Sequence, residues 1–253
     1  MFSVLLTYKE KKRFIDKFKK NLDDKIYTTV VPVFKGAPFY IIKDFYKNSV
    51  PNWEKIIEIS GRTSQRLIVE NGVPLPKNNK IGAFCSDLLY GEILKNTFIK
   101  ILENNYSKNN VFNIMILDKK GDNYIFAEKI SKYANTLSIF SEKIENYEKS
   151  YNKIIGETGI SLFLNKDNNQ NVKIDLDKNE MVLKGEWGTY KICNGTDFSV
   201  PKIYENIVPQ NIDKLIFYSA LYELCGVTEL RNTYFKNVEI EGEKILTEKV
   251  CFT

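Results

Sequence analysis

From Val111 onward, short apolar runs alternate with stretches of helical period. Val111 to Leu117 (VFNIMIL) is nearly continuous in apolar residues, as a strand buried on both faces requires. A helix is predicted over 123–134, with Asp122 as its cap and Phe126, Ile130 and Tyr133 facing inward. Strand 137–140 (LSIF) follows. Ser141 then caps a helix that carries Ile144, Tyr147, Tyr151 and Ile154 on one side, and strand 159–164 (GISLFL) closes a β-α-β-α-β unit. Right-handed crossovers make the three strands parallel, with both helices on one face. The expected fold class is therefore α/β, with a Rossmann-like parallel β-α-β-α-β core, an N-terminal α/β segment and a C-terminal helix plus hairpin.

In the N-terminal segment, residues 2–8 have strand character. Residues 26–33 and 38–43 form two strands joined through Lys35-Gly36-Ala37, with Pro32 and Pro38 pointing to an edge or to strand ends. Pro51-Asn52 opens a short helix with Trp53, Ile56 and Ile57 on one face, which Gly61 ends, and Gln65 to Glu70 read as a strand. A long helix over 86–104 has Ser86 or Asp87 as cap and Leu89, Ile93, Phe98, Ile101 and Leu102 inside. The polar stretch Asn104 to Asn110 suggests a boundary, giving an N-terminal α/β domain at 1–106 and a Rossmann-like domain with C-terminal extension at 107–253. Beyond strand 159–164 come short β segments at 171–176, 181–185 and 189–193. Helix 212–224, capped by Asn211 and closed by Gly226, precedes a hairpin around Glu241-Gly242.

Composition narrows the chemistry. The chain of 253 residues is 43% hydrophobic and 27% charged, which is globular. It has no histidine, so Ser-His-Asp and Cys-His devices and imidazole metal ligands are excluded. Cys85, Cys193, Cys225 and Cys251 form no CxxC pair, so neither a zinc ribbon nor a thioredoxin-type couple is expected, and no metal. Abundant Lys, Ile and Asn suggest an AT-rich bacterial genome. The apolar start, without a preceding positive region, suggests a soluble cytoplasmic protein with no transmembrane segment.

The net charge of +5 lies wholly in segment 9–20, KEKKRFIDKFKK, which has seven positive and two negative residues. Phe14, Ile15, Phe18 and Leu22 give it an amphipathic helical stripe. Lys11, Lys12, Lys17 and Lys19 are thus candidates for an anionic membrane surface or an acidic partner, against the plainer role of a solvated helix face. With the rest of the chain neutral, no nucleic-acid partner is expected.

The first strand-to-helix turn, Asp118-Lys119-Lys120-Gly121-Asp122-Asn123, is where a dinucleotide's pyrophosphate would rest. One glycine replaces the three of GxGxxG, and two carboxylates repel an anion, so no cofactor is expected. Asp118, Gly121 and Glu142 remain candidates for a polar ligand contact. Gly61 to Arg66 is the best small-anion candidate: Arg62 and Arg66 are two of only four arginines, with Thr63 and Ser64 as further donors. The aromatic loop Glu186-Trp187-Gly188 is a possible pocket wall, though more often such a Trp fills a core. The overall layout resembles two-domain dehydrogenases such as shikimate dehydrogenase at the level of fold alone. The glycine fingerprint on which their activity depends is missing here. The expected function is accordingly that of a non-catalytic ligand-responsive or protein-interaction module. The alternative is an enzyme acting on a small anionic substrate held by Arg62 and Arg66, with Asp118 or a lysine as the acid–base group.

Overall fold

The computed structural model describes residues 1–9, 25–46, 50–77, 80–106, 112–185 and 188–250. In chain order the first elements are β1 (Ser3–Lys9), β2 (Lys25–Val33), β3 (Gly36–Tyr46), α1 (Trp53–Ser60), β4 (Leu67–Val69) and α2 (Leu88–Asn105). Then come β5 (Phe112–Leu117), α3 (Tyr124–Ile130), β6 (Ala134–Phe140), α4 (Glu145–Thr158), β7 (Ser161–Leu164) and β8 (Val172–Asp175). The last are β9 (Glu180–Gly185), β10 (Gly188–Ile192), β11 (Gly195–Phe198), α5 (Lys214–Cys225), β12 (Phe235–Ile240) and β13 (Glu243–Leu246). The result is a mixed α/β protein with parallel and antiparallel sheets. Among the described residues no helix is long and apolar enough to cross a membrane. The basic stretch expected as a helix over 9–20 lies outside the described residues from residue 10 onward.

The chain divides into two compact units, each made of two separate stretches: residues 1–90 with 200–231, and 91–199 with 232–253. The first stretch of each unit meets the other within α2. The reason is visible in what α2 holds. Thr97 Oγ1 accepts from Phe235 N at 2.9 Å, and Asn105 Nδ2 donates to Val250 O at 2.7 Å, so the helix is fastened to the C-terminal tail.

In the first unit the sheet order is β2-β3-β1-β4, with β1 parallel to β3 and β4, and β2 antiparallel to β3. The expected hairpin is present, with Lys35 at φ 51° in its turn and an irregularity between Val31 and Val33, around Pro32. Alternation along the strands separates two apolar faces. On one, Phe2 stacks on Phe39 at 5.1 Å and both meet the ring of Phe217 from α5 edge-on. On the other, Leu5, Ile42, Ile56, Leu67 and Ile81 form a buried cluster. Asp213 caps α5, accepting from Ile216 N at 2.9 Å. The expected cap, Asn211, instead donates to Glu70 at 2.7 Å.

The second unit contains a six-stranded sheet of order β10-β9-β8-β5-β6-β7 and a three-stranded sheet of order β11-β12-β13. β8, β5, β6 and β7 run parallel, while β9 and β10 are added antiparallel. Ile114 and Ile116 of β5 stand in register with Leu137 and Ile139 of β6 and with Val172 and Ile174 of β8, all buried. A short connection, 165–171, returns the chain from β7 to the far side of β5. The helix expected over 123–134 ends as α at Ile130, tightens into a 3₁₀ turn at Ser131–Tyr133 and gives way to β6 at Ala134.

Candidate functional site

In the second unit four parallel strands present their carboxyl ends together, and each is followed by a polar residue: Asp118 after β5, Ser141 after β6, Asn165 after β7 and Asp177 shortly after β8. Backbone and side-chain bonds lace these ends. Asp118 N donates to Phe140 O at 2.9 Å, Asn165 N to Ile139 O at 2.8 Å, and Leu176 N to Leu117 O at 2.9 Å. Asn165 Oδ1 accepts from Ser141 N at 3.0 Å, and Asp177 accepts from Lys119 N at 2.9 Å. The residues enclose an open cavity of about 380 Å³, lined by Leu117, Lys119, Phe140, Glu142, Asn165 and Asp177 among others.

Asp118 is buried at 1% exposure behind this rim. Its carboxylate accepts from Asn123 N at 2.9 Å, from Asn123 Nδ2 at 3.1 Å and from the Tyr147 hydroxyl at 2.6 Å. The entrance to α3 is therefore held by a carboxylate from the end of β5, and Asp122, expected as the cap, is exposed. Burial, with the Asp118 carboxylate beside it, pushes the Tyr147 phenol well above its ordinary value, so Tyr147 remains a proton donor to Asp118.

Gly121, at φ 69°, folds the loop back onto the next strand end. A Cβ there would lie 2.8 Å from Lys143 O and 3.1 Å from Ser141 Oγ. Asn146 Nδ2 donates to Gly121 O at 3.2 Å, and Glu142 N donates to Lys119 O at 3.2 Å, closing the loop from the other side. Of the sequence-predicted residues, Asp118, Gly121 and Glu142 are thus brought together around one crevice. At its rim Lys119 pairs with Glu142 at 3.3 Å, both well exposed, so the pair contributes little to stability. Glu142 and Asp177 against Lys119 leave the rim net negative, which disfavours an anion.

The first unit holds Arg62, Thr63, Ser64 and Arg66 on a 3₁₀ helix, Gly61–Arg66, and not on an open loop. With three residues per turn, positions four apart leave the helix about 120° from each other, and both arginines are exposed. Ser64 is buried. Thr63 Oγ1 donates to Ser60 O at 2.8 Å and shares a 2.5 Å hydrogen bond with Ser3 Oγ. Lys11, Lys12, Lys17 and Lys19, and Glu186 and Trp187 of the aromatic loop, lie outside the described residues.

Tyr147, Asn165 and Asp177 were not singled out from sequence as site residues. For Asn165 and Asp177 the signal was available, a polar residue at or just beyond the end of a strand. For Tyr147 there was none, because its partner is 29 positions away. Among the described residues no group of three or more Cys, Asp or Glu side chains could hold a metal ion. Comparisons with protein-family models, with curated proteins and with solved structures found no match.

Proposed function

We propose that the second unit is a Rossmann-like half that has given up its dinucleotide site, and that the protein acts as a non-catalytic ligand-responsive or protein-interaction module. The strand order β8-β5-β6-β7 supports the first part, because a strand added to the other side of β5 creates the switch point at which such sheets hold ligands. The observation that carries the second is the state of the first turn. The Asp118 carboxylate already takes the amide at the entrance to α3, where a phosphate would need it. Gly121 is packed against Lys143 and Ser141, so the turn has no space for a diphosphate. Catalysis on a small anionic substrate draws less support: Arg62 and Arg66 leave their 3₁₀ helix about 120° apart, and both Asp118 oxygens are engaged.

Isothermal calorimetry with NAD, NADP and ATP tests the reading. No saturable binding is expected at physiological concentrations. A micromolar dissociation constant for any of the three would overturn it.

A further inference from the structure

The sheet of the first unit ends in β2, and this edge differs from the others among the described residues. β4, β7, β10, β11 and β13 are three to five residues long, whereas β2 has nine, KIYTTVVPV. An edge strand offers unpaired backbone N–H and C=O groups, and proteins normally blunt it by shortness, charge or a central proline. In β2 the proline and the break in register lie together at Val31–Val33, and the stretch from Ile26 to Val30 has neither of these nor any charge. No residue from Ile26 to Phe34 is charged, and Pro32 stands near the end of the strand. Thr28, Thr29 and Val30 are exposed in succession, so both faces are open at the edge, and Tyr27 and Val30 are 54% and 55% exposed.

We propose that β2 is the interface of a two-fold symmetric dimer, in which two copies of the strand pair antiparallel about Thr29. Centring on Thr29 pairs the regular stretch Tyr27 to Val31 with itself and leaves the irregular Val31–Val33 end at both margins. Tyr27 then faces Val31 of the second copy and Thr28 faces Val30, which are favourable cross-strand partners. Lys25 faces Val33, so no like charges lie directly opposite. Lys35, beyond the strand, is already paired with Glu229 at 3.2 Å. Pro32 meets Ile26 at the two ends of the pairing, where its missing N–H removes no more than a terminal bond. The occupant that fits an uncharged edge rich in β-branched residues is a strand of the same composition, and a two-fold axis supplies it from the chain itself.

Sedimentation equilibrium of the full chain at micromolar concentrations tests this. Wild type is expected as a dimer. Val30→Lys and Thr29→Lys should each lower the mass to the 29.4 kDa of one chain, with an unchanged circular dichroism spectrum, while Val30→Thr keeps the dimer. Mixing Thr29→Lys with Thr29→Glu should restore the dimer, because the axis sets position 29 against itself. A wild-type protein of single-chain mass, a dimer that survives both lysine variants, or a mixture that stays monomeric would each overturn the proposal.

Discussion

Asp118 and Tyr147 meet in a buried 2.6 Å hydrogen bond, and what each contributes can be separated by substitution. Asp118→Ala leaves the Tyr147 hydroxyl and the Asn123 amide without their acceptor, and is expected to cost about 3 kcal/mol. Tyr147→Phe leaves Asp118 with its two Asn123 donors and should cost only about 1–2 kcal/mol. Urea denaturation of both variants checks the order; equal losses would show that the carboxylate is not the organising group. Alkaline pH offers a second measurement. Burial, assisted by the Glu205 carboxylate, pushes the Tyr218 phenol up to about 12. The unfolded chain therefore loses that proton first, and stability is complete below about pH 10 and falls as pH rises toward 12. Tyr147 acts in the same direction. Tyr218→Phe and Tyr147→Phe should each flatten the decline of unfolding free energy above pH 10, measured by denaturation in a series of buffers. At this scale the sequence disclosed the acid at the end of β5 through its place after an apolar run. It could not disclose Tyr147 as its partner, since an inward-facing aromatic on a helix has the same pattern whether its hydroxyl is used or not.

Elements were legible wherever a local pattern fixes them. β5 stands out because both its faces are buried, and α2 because five apolar residues recur on its inner side, all of them fully buried. Capping was less legible, because Ser, Asp and Asn compete for it within a few positions. Asn211 has the chemistry of a cap, yet its amide is drawn to Glu70, and Asp213 accepts from Ile216 N instead. Asp213→Ala is expected to destabilise by about 1 kcal/mol in thermal or urea unfolding, with no compensation from Asn211. β11 is only four residues long and opens with a glycine, which leaves no strand pattern in the sequence. The glycine is there because a Cβ would collide with the ring of Phe235 on the neighbouring strand, a fact of tertiary structure with no local trace. The pairing of β8 beside β5 was equally hidden, since strand order depends on which edge a connection reaches.

Along the chain the two units alternate, each taking two separate stretches, and a cut after residue 106 would divide both. A chain divided there gives 1–106 without α5, and 107–253 without the Thr97 and Asn105 side chains that serve Phe235 and Val250. Neither fragment is expected to fold. Each should lack cooperative thermal unfolding by circular dichroism and be cut rapidly by protease, whereas the intact chain resists.

Phe217, the ring that completes the cluster of Phe2 and Phe39, is synthesised well over a hundred residues after both. At roughly 5–20 residues per second, the aromatic face of the first sheet waits on the order of ten to forty seconds for its cover. During that interval the nascent chain carries an uncapped, sticky surface. Production of this protein should therefore respond to ribosome-associated holdases and to slower elongation more than its final stability would suggest.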